Sequence, residues 1–311
     1  MKNNSPILYV NKIKENWIVD RVKDEWISSH SLHTRFSGKS DIIWLIAPWL
    51  WTKEKKRHLK SKKVVCSIYH LDENKFDKNQ LNEFVERDKY VDYYHVISTK
   101  TLHQIKHLTD KKIYNIPYWV NSNLWYEIKN KDNLINNYNI PKGKFLIGSF
   151  QRDTEGHDLA SPKLSKGPDR FIEIVDYLNK KMENLHVILA GQRRQYVINE
   201  LNKRKIDFTY FQMATNVELN NLYNLLDLYI VGSRFEGGPQ AIFECAVTKT
   251  PIISTDVGVA SEILHSNSIF DMNNFMNAEP NIEYAFSKVQ KFLIPEGFIE
   301  FENMFQEIYE N

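Results

Sequence analysis

Ten short apolar runs, separated by longer polar stretches with helical spacing, constrain this chain more than any other feature. Five lie in the first half, at 7–10, 42–46, 64–69, 93–97 and 112–116. Five lie in the second half, at 145–150, 185–190, 208–211, 228–231 and 252–254. Strands that read as continuous apolar runs are buried on both faces, which requires helices above and below a parallel sheet. The expected fold class is therefore α/β. Ligands of such sheets bind outside the carboxyl ends of the strands, so the residues just after each run are the ones to inspect.

A length of 311 residues exceeds one typical core and predicts two domains. The net charge of +2 hides a division: residues 1–140 carry about +8 and the remainder about −6. All seven tryptophans fall within the first 125 residues, and ten of the eleven glycines lie after position 140. These shifts predict a boundary near Asn139 to Lys144, with an N-terminal domain over 1–140 and a C-terminal domain over 141–280. The apolar stripe from Ile282 to Ile308 predicts terminal helices over 281–311. No apolar run approaches the roughly 18 residues that span a bilayer, and the N-terminus lacks a secretory apolar region, so a cytoplasmic protein is expected. Cys66 and Cys245 sit far apart in apolar runs, as small core residues of a reducing compartment do.

The segment from Ser233 to Glu262, SRFEGGPQAIFECAVTKTPIISTDVGVASE, carries the chemistry. Glu236 follows an apolar run; Gly237, Gly238 and Pro239 form a turn; a short buried helix starts at Gln240 and contains Glu244. Proline suits the first helical position, where its missing N–H is not needed. Glycines let the backbone approach a ligand, and a helix N-terminus favours an anion such as phosphate. An ionised carboxylate only accepts hydrogen bonds, and neighbouring hydroxyls of a sugar or ribose are its natural partners. The two glutamates, eight residues apart, with Pro251, Gly258 and Glu262 trailing, resemble the Glu-x7-Glu signature of retaining glycosyltransferases of the GT-B fold, the group 1 or family 4-like enzymes. Lys249 and Thr250 depart from the small residue and glycine usual before the proline.

The resemblance implies two Rossmann-like domains facing a central cleft, with the acceptor on the N-terminal side and a nucleotide-sugar donor on the C-terminal side. It places Glu236 on the donor sugar and Glu244 on the ribose, beside Gly237, Gly238, Pro239 and Gln240. After the run KFLIGSF, Arg152 and Lys166 are the nearest counterparts of the family's diphosphate cations, with Lys163 a rival for the lysine. Ser149 stands where the family's arginine is usual, and thirteen residues separate Arg152 from Lys166. Fixed cations there would stabilise the leaving diphosphate as its charge develops. Gly191, Gln192 and Arg193 resemble the loop beside the base, with helix capping or solvent exposure as the other reading. His70, closing its run, resembles a histidine that reaches the donor sugar. A satisfied structural histidine is the alternative there.

Other nucleotide motifs are missing. No Gly-x-Gly-x-x-Gly follows a run, and the GKS at Gly38 to Ser40 has His33 where a P-loop needs glycine. No Asp-x-Asp occurs, so neither a metal nor a cofactor is expected; the nucleotide sugar is a co-substrate. The expected partners are a nucleotide-sugar donor and a carbohydrate or lipid-linked acceptor, with no nucleic acid. Trp49, Leu50 and Trp51, followed by cations from Lys53 to Lys63, suit peripheral contact with an anionic membrane at its inner face, or a plain solvated helix. Trp119 and Trp125 are candidates for stacking on sugars, with core packing as the default. A GT-B-fold sugar-nucleotide epimerase and a non-catalytic nucleotide-sugar-binding scaffold are the alternative functions.

Overall fold

The computed structural model describes residues 5–14, 18–73 and 75–311. The chain divides into two compact units, one made of residues up to Trp119 together with Pro295–Asn311, the other of Val120–Ile294.

In the first unit, β1 (Leu8–Val10), β2 (Ile42–Leu45), β3 (Lys63–Ile68), β4 (Tyr93–Val96) and β5 (Ile113–Asn115) form an all-parallel sheet in sequential order. The helices α1 (Ile18–Ser29), α2 (Lys56–Leu59), α3 (Lys78–Asp88) and α4 (Thr99–Ile105) connect them. Strand period 2 sorts the residues onto two faces. Ile43, Leu45, Val64, Cys66, Tyr94 and Val96 share one cluster with Leu59 of α2, Phe84 of α3 and Ile105 of α4. On the opposite face a polar thread crosses the sheet. Trp44 Nε1 donates to Ser67 Oγ at 2.8 Å, which meets His95 Nδ1 at 2.8 Å, and His95 Nε2 meets the Ile116 carbonyl at 2.7 Å. Burial lowers the His95 pKa to about 4, so this imidazole stays neutral and structural.

The second unit holds β6 (Phe145–Ser149), β7 (Leu185–Ala190), β8 (Phe208–Phe211), β9 (Leu228–Val231), β10 (Ile252–Thr255) and β11 (Ile269–Phe270), all parallel, in the order β11-β10-β9-β6-β7-β8. Its helices are α5 (Lys131–Asn137), α6 (Pro168–Lys181), α7 (Gln195–Arg204), α8 (Asn216–Leu225), α9 (Gln240–Thr248), α10 (Ala260–Ile263) and α11 (Ile282–Val289). The chain builds outward from β6 through β7 to β8, then returns to the other side with β9. The carboxyl ends of β6 and β9 thus flank a topological switch point, where such sheets bind ligands.

All ten apolar runs are strands, and among the described residues only the two-residue strand β11 has no counterpart in them. The units divide at Trp119 and Val120 rather than near 140. The reason is packing: Val120, Trp125, Leu134 and Ile140 belong to the core of the second unit, whatever their surface charge suggests. The terminal segment is likewise split. α11 stays in the second unit, while α12 (Ile299–Glu310) joins the first, where Phe301 and Phe305 pack on Trp26 and Trp44.

Candidate functional site

The second unit's switch point is built by glycines that let three loops touch. Gly167 has φ +61°, and a Cβ there would lie 1.9 Å from the Gly232 carbonyl oxygen. Gly258 has φ +51°, and its Cβ would meet the Gly237 carbonyl oxygen at 2.2 Å. The loop after β9 therefore lies directly between the loop before α6 and the loop after β10. Arg234 locks this contact. Its guanidinium forks onto Asp169 with bonds of 2.8 and 2.6 Å, and its backbone N–H donates to the Ser165 carbonyl at 2.8 Å. Burial alone would raise the Asp169 pKa, but the Arg234 fork outweighs it and holds the carboxyl below its ordinary value.

That packing brings Lys166 and Glu236 together. The ammonium lies 2.5 Å from Glu236 Oε1, with the lysine side chain 20% exposed and the glutamate 9%. Ser233 Oγ donates to the same carboxylate oxygen at 3.2 Å. Gln151, after β6, spans the site: its amide donates to the Lys166 carbonyl at 2.7 Å and accepts from Ser233 at 3.3 Å. Lys166, Gln151, Arg152, Asp153 and Arg194 line one shallow depression, which Lys163 does not reach. Arg152 is exposed and donates to the Thr154 carbonyl at 2.9 Å.

Glu244 is buried in α9 and accepts from the Tyr223 hydroxyl at 2.8 Å. Burial, then the Glu244 charge, pushes the tyrosine pKa well above its ordinary value, so Tyr223 remains a donor. Pro239 caps α9, with Gly237 and Gly238 before it and Gln240 as its first residue. Across the sheet, Gly191 turns the chain at φ +89° after β7. Gln192 donates to the Met213 sulfur at 3.0 Å. Arg193 is directed to the Thr154 hydroxyl and the Gly156 carbonyl, holding the hairpin in which Thr154 bridges Pro162. The neighbouring residue, Arg194, is wholly buried and pairs with Asp153, also buried, at 3.2 Å. Sequence reasoning missed this pair, along with Ser233, Tyr223 and Arg234. Two adjacent arginines look alike until packing decides which one faces the core.

His70 is half-buried just after β3, in the first unit. Trp119 and Trp125 are each 1% exposed, which corrects their candidacy as sugar-stacking platforms: they are core residues. Residues Pro48–Lys53 form a 3-10 turn and Lys56–Leu59 a short helix, and Trp51 is buried against Tyr90. Trp49 remains at the surface, 36% exposed, beside Tyr69. No helix among the described residues is long and apolar enough to cross a membrane. Among those residues no three His, Cys, Asp or Glu side chains are grouped to hold a metal ion.

Comparison with known proteins agrees with this architecture. Residues 159–308 match the family described as Glycosyl transferases group 1. No curated protein matches the sequence. Among solved structures, HepE of Anabaena in complex with UDP superposes with a TM-score of 0.70 at 12% identity, over 97% of this chain and 99% of that one. Sucrose-phosphate synthase of Thermosynechococcus elongatus gives 0.69 at 12% identity, over 96% and 81%. A glycosyltransferase of Rickettsia africae gives 0.59 at 18% identity, over 97% and 84%. The chain thus has the two-sheet GT-B fold of glycosyltransferases, and its residues 159–308 carry the pattern of glycosyl transferases group 1.

Proposed function

We propose that the protein is a retaining glycosyltransferase, moving a sugar from a nucleotide-sugar donor to the hydroxyl of a glycan or lipid-linked acceptor. The observation that carries this reading is the meeting of Lys166 and Glu236 at the switch point, inside the segment that matches the glycosyltransferase family. Structural relatives include HepE complexes with UDP and with UDP-glucose, which makes a uridine diphosphate sugar the first donor to test.

In this reading Lys166 and Arg152 take the diphosphate, and the N-terminus of α9 adds its dipole. Charge develops on the leaving diphosphate as the glycosidic bond breaks, and cations already in place stabilise it without a divalent ion. Glu236 orients the donor sugar, and Glu244, held by Tyr223, accepts from the ribose. Gly191 and Gln192 border the base. The acceptor hydroxyl attacks on the face the diphosphate leaves, so the anomeric configuration is kept and no protein nucleophile is used. The reaction belongs to the cytoplasm, where the donor is available, with membrane attachment through Trp49 and its lysines as a separate proposal.

The test is UDP release from a panel of UDP-sugars, with and without glycan and lipid-linked acceptors, in the presence of a chelator. Release that requires acceptor, survives the chelator and gives a product of unchanged anomeric configuration is expected. Inversion would refute the retaining mechanism, and loss of turnover restored only by magnesium or manganese would refute the metal-free one. A changed donor without any acceptor would reveal an epimerase.

A further inference from the structure

The buried pair of Asp153 and Arg194 has no part in the roles assigned above, yet it stands directly beneath them. Arg194 is 0% exposed and Asp153 2%, whereas the other ion pairs of this unit, Lys166–Glu236 included, each keep at least one partner partly exposed. A charge pair taken out of water costs desolvation free energy that mutual attraction alone often fails to return, so its placement calls for a reason.

Its contacts supply one. Arg194 Nη1 donates to the Gln151 carbonyl, and Nε lies 3.2 Å from Asp153 Oδ2. One planar guanidinium thus holds two residues of the loop that follows β6. Asp153 Oδ2 accepts from the Val197 N–H at 3.4 Å, in the first turn of α7, where the helix dipole favours a carboxylate. The Asp153 carbonyl accepts from the Lys163 N–H at 2.8 Å, which closes the hairpin leading to Lys166. On the other side of Arg194, Gln151 carries the constraint to the Lys166 carbonyl and to Ser233. Both routes out of the pair end at Lys166.

We propose that Asp153 and Arg194 are positioning residues of the donor site, fixing residues 151–166 so that Lys166 and Arg152 stand ready for a diphosphate. They act through that loop rather than on the reacting atoms. The assignment rests on the proposed donor reading for its functional meaning, but its structural content can be tested without any ligand. A flexible loop would have to be ordered when the anion arrives, and the pair meets that cost during folding.

The decisive variant is Asp153→Asn/Arg194→Met, which removes both charges at similar volume and so leaves no uncompensated charge in the core. Arg194→Met alone, which strands the carboxylate, is the harsher companion. The folded double variant should keep its unfolding midpoint while amide hydrogen exchange at pH 7.5 quickens in 151–166 and not in β7 or β9. UDP-glucose binding, measured by calorimetry, should weaken about tenfold or more. Binding of uridine, which lacks the diphosphate and is followed by ligand-detected NMR, should change less than about twofold. Unchanged exchange in 151–166 would overturn the proposal. So would equal weakening of uridine and UDP-glucose, which marks a general structural role. If the wild type binds no UDP-glucose, the choice of donor has failed, and the exchange of 151–166 alone decides the positioning role.

Discussion

At 2.5 Å the Lys166 ammonium and the Glu236 carboxylate satisfy one another, so under the proposed donor reading an incoming diphosphate would have to draw the lysine from the glutamate. Glu236→Ala should then have effects of opposite sign. Free UDP is expected to bind roughly two- to tenfold more tightly, since a partly buried competing pair is gone. Sugar transfer should fall on the order of a hundredfold, because contacts that tighten as the bond breaks act in turnover. Lys166→Ala should weaken UDP by roughly ten- to a hundredfold, the loss of a charged hydrogen bond. Equal weakening of UDP in both variants would show that the two residues do not compete. Asp153 gives a second test, through pH. Burial, against the attraction of Arg194, pushes its pKa from 3.8 up to about 6, so the fold prefers the carboxyl protonated. That contribution is fully present below 3.8 and is lost as pH rises through about 6. Between pH 4 and pH 8 the wild type should therefore lose stability relative to Asp153→Asn, by at most about 3 kcal/mol. Urea unfolding of both proteins across this range would expose a flat or reversed difference.

Among elements, the turns that press the site together are the sensitive ones. Gly167 and Gly143 both have positive φ, but a Cβ at Gly143 would meet nothing within 4 Å, whereas at Gly167 it would strike the Gly232 carbonyl. Gly143→Ala should cost about 1 to 2 kcal/mol from backbone strain alone. Gly167→Ala should cost clearly more and also weaken UDP, because the displaced loop carries Lys166; thermal unfolding and calorimetry would show if the two are equal. Such elements differ in how far the sequence discloses them. The strands were legible because burial on both faces leaves no alternative to a continuous apolar run. The turn from Glu236 to Gln240 was legible because glycine, proline and a flanking strand each restrict the backbone in a known way. The hairpin from Asp153 to Lys163 was not, since its order comes from Arg193 reaching Thr154 and Gly156 some forty residues away. Composition misplaced the boundary as well, for charge reports on surface while Trp125 and Leu134 follow the nearest core.

On the scale of the whole molecule, α12 makes the first unit depend on residues remote in sequence. Phe301 is fully buried and packs on Trp26, Trp44, Trp119, Tyr118 and His95. Phe301→Ala should cost about 3 to 5 kcal/mol by cavity formation. The loss should appear in tryptophan fluorescence, which comes chiefly from this unit, while UDP still protects the second unit against proteolysis. Simultaneous melting of both units would contradict that separation. The same arrangement bears on synthesis. Residues 120–294 are contiguous and can close their core once they leave the ribosome, whereas the preceding 119 residues must wait for the aromatic side chains of α12. Domains generally fold in the order they emerge. For this chain the reverse is expected: the first unit is completed last, and until then its tryptophan face is what a chaperone would meet.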